Sequence, residues 1–266
     1  SIVQAEVEGS GDMLCGWFYE PLLHNVEMMT SLTRRLLGVL MVVVAAACGA
    51  DEKNSVLLHS SETDRKASQV TASSLGRDGP LIVVLGDSLT AGLGLDVDQA
   101  YPTVLERQLH QDGYEVSVVN AGVSGDTSAG GLSRVEWALE GDVRILVVAL
   151  GGNDGLRGLP TAQMKENLSG IVSQARRRGV EVVLAGMEAP PNLGASYARE
   201  FREVFIDLAQ TYDLVFLPFL LAGVAAEPLL NQADGIHPNA RGAAIVAESV
   251  RETIEPLLPV LTVSTP

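Results

Sequence analysis

Between residues 81 and 254, short apolar runs alternate in regular order with longer stretches of helical period. The runs at 81–85, 116–120, 145–150 and 180–185, with a shorter one at 215–217, are rich in Val, Ile and Leu and predict strands. They are nearly continuously apolar, not alternating, as expected when helices cover both faces of a sheet. Apolar residues at helical spacing predict helices at 101–112, 129–140, 161–178, 197–211 and from 239 to about 254. Strand–helix alternation with crossovers of this length implies a parallel sheet with right-handed connections. The predicted fold is therefore α/β, a three-layer α/β/α sandwich with a central parallel sheet of flavodoxin-like type.

The chain upstream of residue 80 follows a different pattern. Residues 1–27 show no period and read as an upstream extension with no part in the fold. Met28-Met29 opens a segment in which Arg34-Arg35 precedes an apolar run over 36–47, ending at Cys48-Gly49. That is the anatomy of a secretory signal, and the run is short for a bilayer span of about 20 residues. Cys48 after small residues resembles a bacterial lipobox, where the cysteine is lipidated, although Ala45 stands where Leu is usual. A plain signal cleaved near Ala47 is the alternative; either way the protein is expected to be exported, as a periplasmic, membrane-anchored or secreted product. The polar stretch 49–79 reads as a flexible linker. Residues 80–258 suit one compact domain, with 259–266 as a tail.

Charge and cysteine content narrow the partners. There are 33 acidic and 18 basic residues, for a formal charge of −15. The basic run Arg176-Arg177-Arg178 precedes Gly179 at the end of a helical pattern, where cations complement the helix terminus and glycine caps it. Nucleic acid is not an expected partner. The two cysteines, Cys15 and Cys48, both precede the domain, so no disulfide is expected within it. No His, Cys and Asp cluster has metal-ligand spacing; neither metal nor cofactor is expected.

In open α/β sheets ligands gather beyond the carboxyl ends of the strands. Gly86-Asp87-Ser88 follows the first strand, Ser124-Gly125-Asp126-Thr127 the second, and Gly151-Gly152-Asn153-Asp154-Gly155 the third. Asp234-Gly-Ile-His237 precedes the last helix. Taken singly, Ser88 reads as a helix cap, Gly125 as a turn and Asn153 as a loop amide. Taken together on one rim they supply a serine hydroxyl, a histidine base, an acid to hold its tautomer, and donors for an oxyanion. The Gly-x-Ser-x-Gly elbow is absent because Thr90 takes the second glycine position.

These blocks, in order and over nearly the whole of residues 81–255, resemble the SGNH (GDSL) hydrolases, and most closely their thioesterase I/lysophospholipase L1/arylesterase branch. The resemblance implies the SGNH hydrolase fold, with Ser88 as nucleophile, His237 as general base and acid, and Asp234 as its orienting partner. It also implies an oxyanion hole formed by Ser88, Gly125 and Asn153. The stretch 155–160 resembles the mobile loop that covers acyl chains in this branch, and 187–197 is expected to form another wall. Expected substrate-facing residues are Asp87, Gly155, Leu156, Leu159, Met187, Pro190 and Ile236. Apolar walls without a cap domain point to short-to-medium acyl esters, aryl esters or thioesters, lysophospholipids among them. A carbohydrate O-acetylesterase is the alternative enzyme; a non-catalytic envelope lipoprotein on the same fold is the alternative outside catalysis.

Overall fold

The computed structural model describes residues 79–262. The expected extension, leader with Cys48, and linker up to residue 78 lie outside the described residues. Five parallel strands form the sheet: β1 (Leu81–Gly86), β2 (Ser117–Gly122), β3 (Val143–Ala149), β4 (Glu181–Ala185) and β5 (Val215–Leu217), in the order β2-β1-β3-β4-β5. Around them lie α1 (Ser88–Ala91), α2 (Tyr101–Gln111), α3 (Ser128–Ala138), α4 (Gly152–Leu156), α5 (Thr161–Arg177), α6 (Ala195–Thr211) and α7 (Ala240–Ile254).

The chain steps one way across the sheet from β1 to β2 and the other way thereafter. Right-handed crossovers then put α2 on one face and α3, α5 and α6 on the other. Helix α7 packs on α2, completing the first layer. The reversal leaves a crevice between β1 and β3 beyond their carboxyl ends, where ligands bind in folds of this topology.

Burial explains which strands were readable. Ile82–Leu85 of β1 and Ile145–Val148 of β3 are almost wholly excluded from solvent, matching their continuous apolar runs. Edge strand β2, with a neighbour on one side only, instead buries Val118 and Ala121 alone and exposes Asn120. Helix α5 buries Met164, Leu168, Ile171, Val172 and Ala175, a single face at helical spacing.

Two short helices were not foreseen, and both lie at strand ends. Asp87 caps α1, its carboxylate accepting from the Leu89 amide at 3.0 Å, and Gly92 ends it in the left-handed region at φ +73°. The cap is thus Asp87, and Ser88 is the first helical residue. Gly122 lets β2 run close beneath this turn: a Cβ there would lie 2.2 Å from the Ala91 nitrogen, among backbone atoms that cannot rotate away. Gly122→Ala is expected to destabilise the fold by about 1–3 kcal/mol through overpacking. A urea unfolding midpoint equal to wild type would show that α1 shifts freely.

Candidate active site

Ser88 opens α1 at the carboxyl end of β1, and its Oγ lies 2.9 Å from His237 Nε2 across 149 residues of sequence. The opposite ring nitrogen, Nδ1, lies 2.6 Å from Asp234 Oδ2. Hydroxyl, imidazole and carboxylate thus form one unbroken line.

The loop carrying the acid and the imidazole is built to hold them. An antiparallel bridge between Asn231 and Pro238 closes it, with the Gln232 amide donating to the His237 carbonyl at 2.8 Å. Gly235, at φ +71°, makes the turn inside. Asp234 Oδ1 accepts the amides of Ile236 at 2.9 Å and His237 at 3.0 Å. The Gln232 side chain donates to the Leu93 carbonyl at 2.7 Å, pinning the loop to the segment after α1. Asn239 then caps α7 by accepting from the amides of Arg241 and Gly242.

These bonds set the charge state. The His237 amide, followed by the Ile236 amide and the ring, holds the Asp234 carboxyl down at about 2. An ionised carboxylate can only accept, so Nδ1–H donates to it, and in the neutral tautomer this selects, Nε2 is the nitrogen left to accept from Ser88.

Asn153 stands in α4, beyond the end of β3, and its Nδ2 donates to Asp87 Oδ2 at 3.2 Å. Asp87 therefore joins the nucleophile turn to the amide. It is 3% exposed, and burial raises its carboxyl pKa against the opposing pull of the Leu89 amide and the Asn153 side chain. Behind α4, Asp154 accepts both the amide and the hydroxyl of Ser128, at 2.8 and 2.6 Å, fastening α4 to the start of α3. Gly125, after β2, is exposed at φ +85°, and its carbonyl accepts from Arg157 Nη2 at 2.7 Å. A Cβ at Gly125 would meet only that Arg157 nitrogen, at 3.8 Å, so the backbone conformation, not lack of space, calls for glycine.

Residues 84–245, which span all of these segments, match the GDSL-like lipase/acylhydrolase family. The chain belongs to this family. It is 43% identical over 178 residues to the esterase TesA of Pseudomonas aeruginosa, covering 66% of this chain and 89% of that one. It is 35% identical over 178 residues to the thioesterase 1/protease 1/lysophospholipase L1 of Escherichia coli, covering 66% and 84%. Among solved structures, AlinE4, an SGNH-hydrolase family esterase, is 44% identical with a TM-score of 0.57, covering 68% of this chain and 98% of its own. Like these relatives, the chain is a carboxylic ester hydrolase.

The expected substrate-facing residues of this GDSL hydrolase divide by position. Leu156, three residues after Asn153, and Ile236, directly before His237, are exposed, and Leu159 and Pro190 are half-buried. Asp87, Gly155 and Met187 correct the expectation of a substrate-facing position. Asp87 is turned inward by its cap and its Asn153 bond. Gly155 is buried against Phe201, whose ring would lie 3.1 Å from an added Cβ. Met187 is 8% exposed and belongs to the core behind Gly152. Sequence reasoning missed the exposed Leu93, which lines a crevice with Ser88 and His237, and the supporting Gln232 and Arg134, whose partners are mostly backbone carbonyls without a sequence signature.

Proposed function

We propose that this GDSL hydrolase cleaves short-to-medium acyl esters, aryl esters and thioesters through a covalent acyl-enzyme on Ser88. The observation that carries this reading is the continuous Ser88–His237–Asp234 hydrogen-bonded line. Ser88 Oγ attacks the acyl carbonyl while His237 Nε2 takes its proton, and ionised Asp234 stabilises the imidazolium. The developing oxyanion is met by the amides of Ser88 and Gly125 and by the Asn153 side chain. Asn153 has two amide hydrogens; one is held by Asp87, which orients the other. His237 then protonates the departing alcohol or thiol, and the same residue activates the water that releases the acid.

Exposed apolar residues adjacent in sequence to the site's own, Ile236 before His237 and Leu156 three after Asn153, support an apolar acyl group. The name of the Escherichia coli relative extends the candidates to lysophospholipids. A series of p-nitrophenyl esters from acetate to palmitate tests this, with the highest kcat/KM expected between butyrate and octanoate. A maximum at palmitate, or turnover confined to acetylated xylan, would overturn the substrate class. Asn153→Ala is expected to lower kcat by about 10²–10³ with KM little changed, the usual cost of losing an oxyanion donor. An unchanged kcat would remove Asn153 from the oxyanion hole.

Export belongs to the same proposal, with Cys48 as a lipid anchor on the membrane. It is supported by Arg34-Arg35, the apolar run and the small residues before Cys48. Metabolic labelling with an alkynyl palmitate is expected to mark the wild type and spare Cys48→Ala; an unlabelled wild type would overturn the anchor.

A further inference from the structure

We infer that Arg134 is a positioning residue that sets the oxyanion loop against the nucleophile turn, an inference resting on the acyl-enzyme reading above. The guanidinium of this half-buried α3 residue bonds in three directions. Nε donates to Asp126 Oδ2 at 2.7 Å, Nη1 to the Ala121 carbonyl at 2.8 Å, and Nη2 to the Gly86 carbonyl at 2.9 Å. Those acceptors are the machinery's own supports. Gly86 is two residues before Ser88, Ala121 lies near the end of β2, and Asp126 directly follows Gly125.

The rest of the loop is built around the same clasp. The Val123 amide donates to the Gly86 carbonyl at 3.0 Å, and the Asp126 amide to the Val123 carbonyl at 3.1 Å. Gly130 leaves room for the Asp126 carboxylate, since a Cβ there would stand 2.6 Å from Oδ1. The peptide bearing the Gly125 amide therefore hangs between the Gly86 carbonyl at one end and the Arg134–Asp126 pair at the other. Arg134 touches both the strand that delivers Ser88 and the residue after Gly125, so it fixes the distance between nucleophile and donor. Only a planar fork with several fixed N–H groups can serve these three acceptors at once; a lysine ammonium cannot span them in this geometry.

A residue acting this way should matter more in the transition state than in substrate binding. For Arg134→Lys and Asp126→Asn, kcat on p-nitrophenyl butyrate is expected to fall about tenfold or more while KM stays within about threefold, because misplaced donors forfeit transition-state stabilisation. The rate at which a fluorophosphonate labels Ser88 should fall in step with kcat. Folded content is followed by circular dichroism, and if Arg134→Lys fails to fold, Asp126→Asn alone decides. Wild type unlabelled at Ser88 would overturn the acyl-enzyme reading itself. Wild type labelled, with variant kcat and labelling rates within about twofold of it, would overturn the role of Arg134 alone.

Discussion

Ser88→Ala and His237→Ala are each expected to bring hydrolysis of p-nitrophenyl butyrate to background, a loss on the order of 10⁶-fold in kcat. The double variant should be no worse than either single one, because hydroxyl and imidazole act as a unit and removing one already idles the other. Both proteins should fold. The α1 turn is held by the Asp87 carboxylate and by Gly92, not by the Ser88 side chain. Among the described residues the His237 ring bonds Ser88 and Asp234, and its backbone amide keeps its bond to Asp234 when the ring is gone. Thermal midpoints near wild type beside absent turnover would assign both residues to chemistry. Wild-type-like turnover in either variant would overturn the mechanism.

What could be read from the chain follows from how each element is stabilised. Strands β1 and β3 announce themselves because both of their faces are buried, and α5 and α7 because one face is. Helices α1 and α4 have four and five residues, too few to display a period, and their identity rests on caps and strand-end geometry. The strand-end rule brought Ser88, Gly125 and Asn153 to one rim. Nothing in local pattern measures the 149 residues separating Ser88 from its imidazole; the pairing came from the topology, which carries the loop before the last helix to the same rim, and the family resemblance agreed with it. Asp87 was among the expected substrate-facing residues, and it directly precedes the nucleophile. Yet an acid at a helix N-cap turns its carboxylate back on the helix amides, which is where it lies. Arg134 was invisible for the opposite reason: an arginine on an amphipathic helix reads as solvated, while here it serves two carbonyls and one carboxylate.

Asp234→Asn is expected to cost more activity than Asp234→Ala while leaving the protein more stable. Asp234 Oδ1 accepts two backbone amides, and only an oxygen can do so. An asparagine must therefore keep its oxygen there and turn its NH₂ toward His237 Nδ1. That nitrogen is then forced to accept, the ring proton moves to Nε2, and Nε2 can no longer take the Ser88 proton. The wrong tautomer should cost on the order of 10⁴-fold in kcat. In Asp234→Ala, water reaches this exposed spot and can accept from Nδ1, so the correct tautomer survives and the loss should be nearer about 10²-fold. Stability should run the other way, because alanine abandons both amides that clamp the loop. Its sign with pH is set by the depressed carboxyl: the wild-type advantage over Asp234→Ala is full above the ordinary 3.8 and is lost as pH falls through about 2. Thermal melts across that window, with ¹⁵N spectra of the imidazole to assign its tautomer, check both halves. An asparagine variant at least as active as the alanine one would show that Asp234 does not govern where the His237 proton sits.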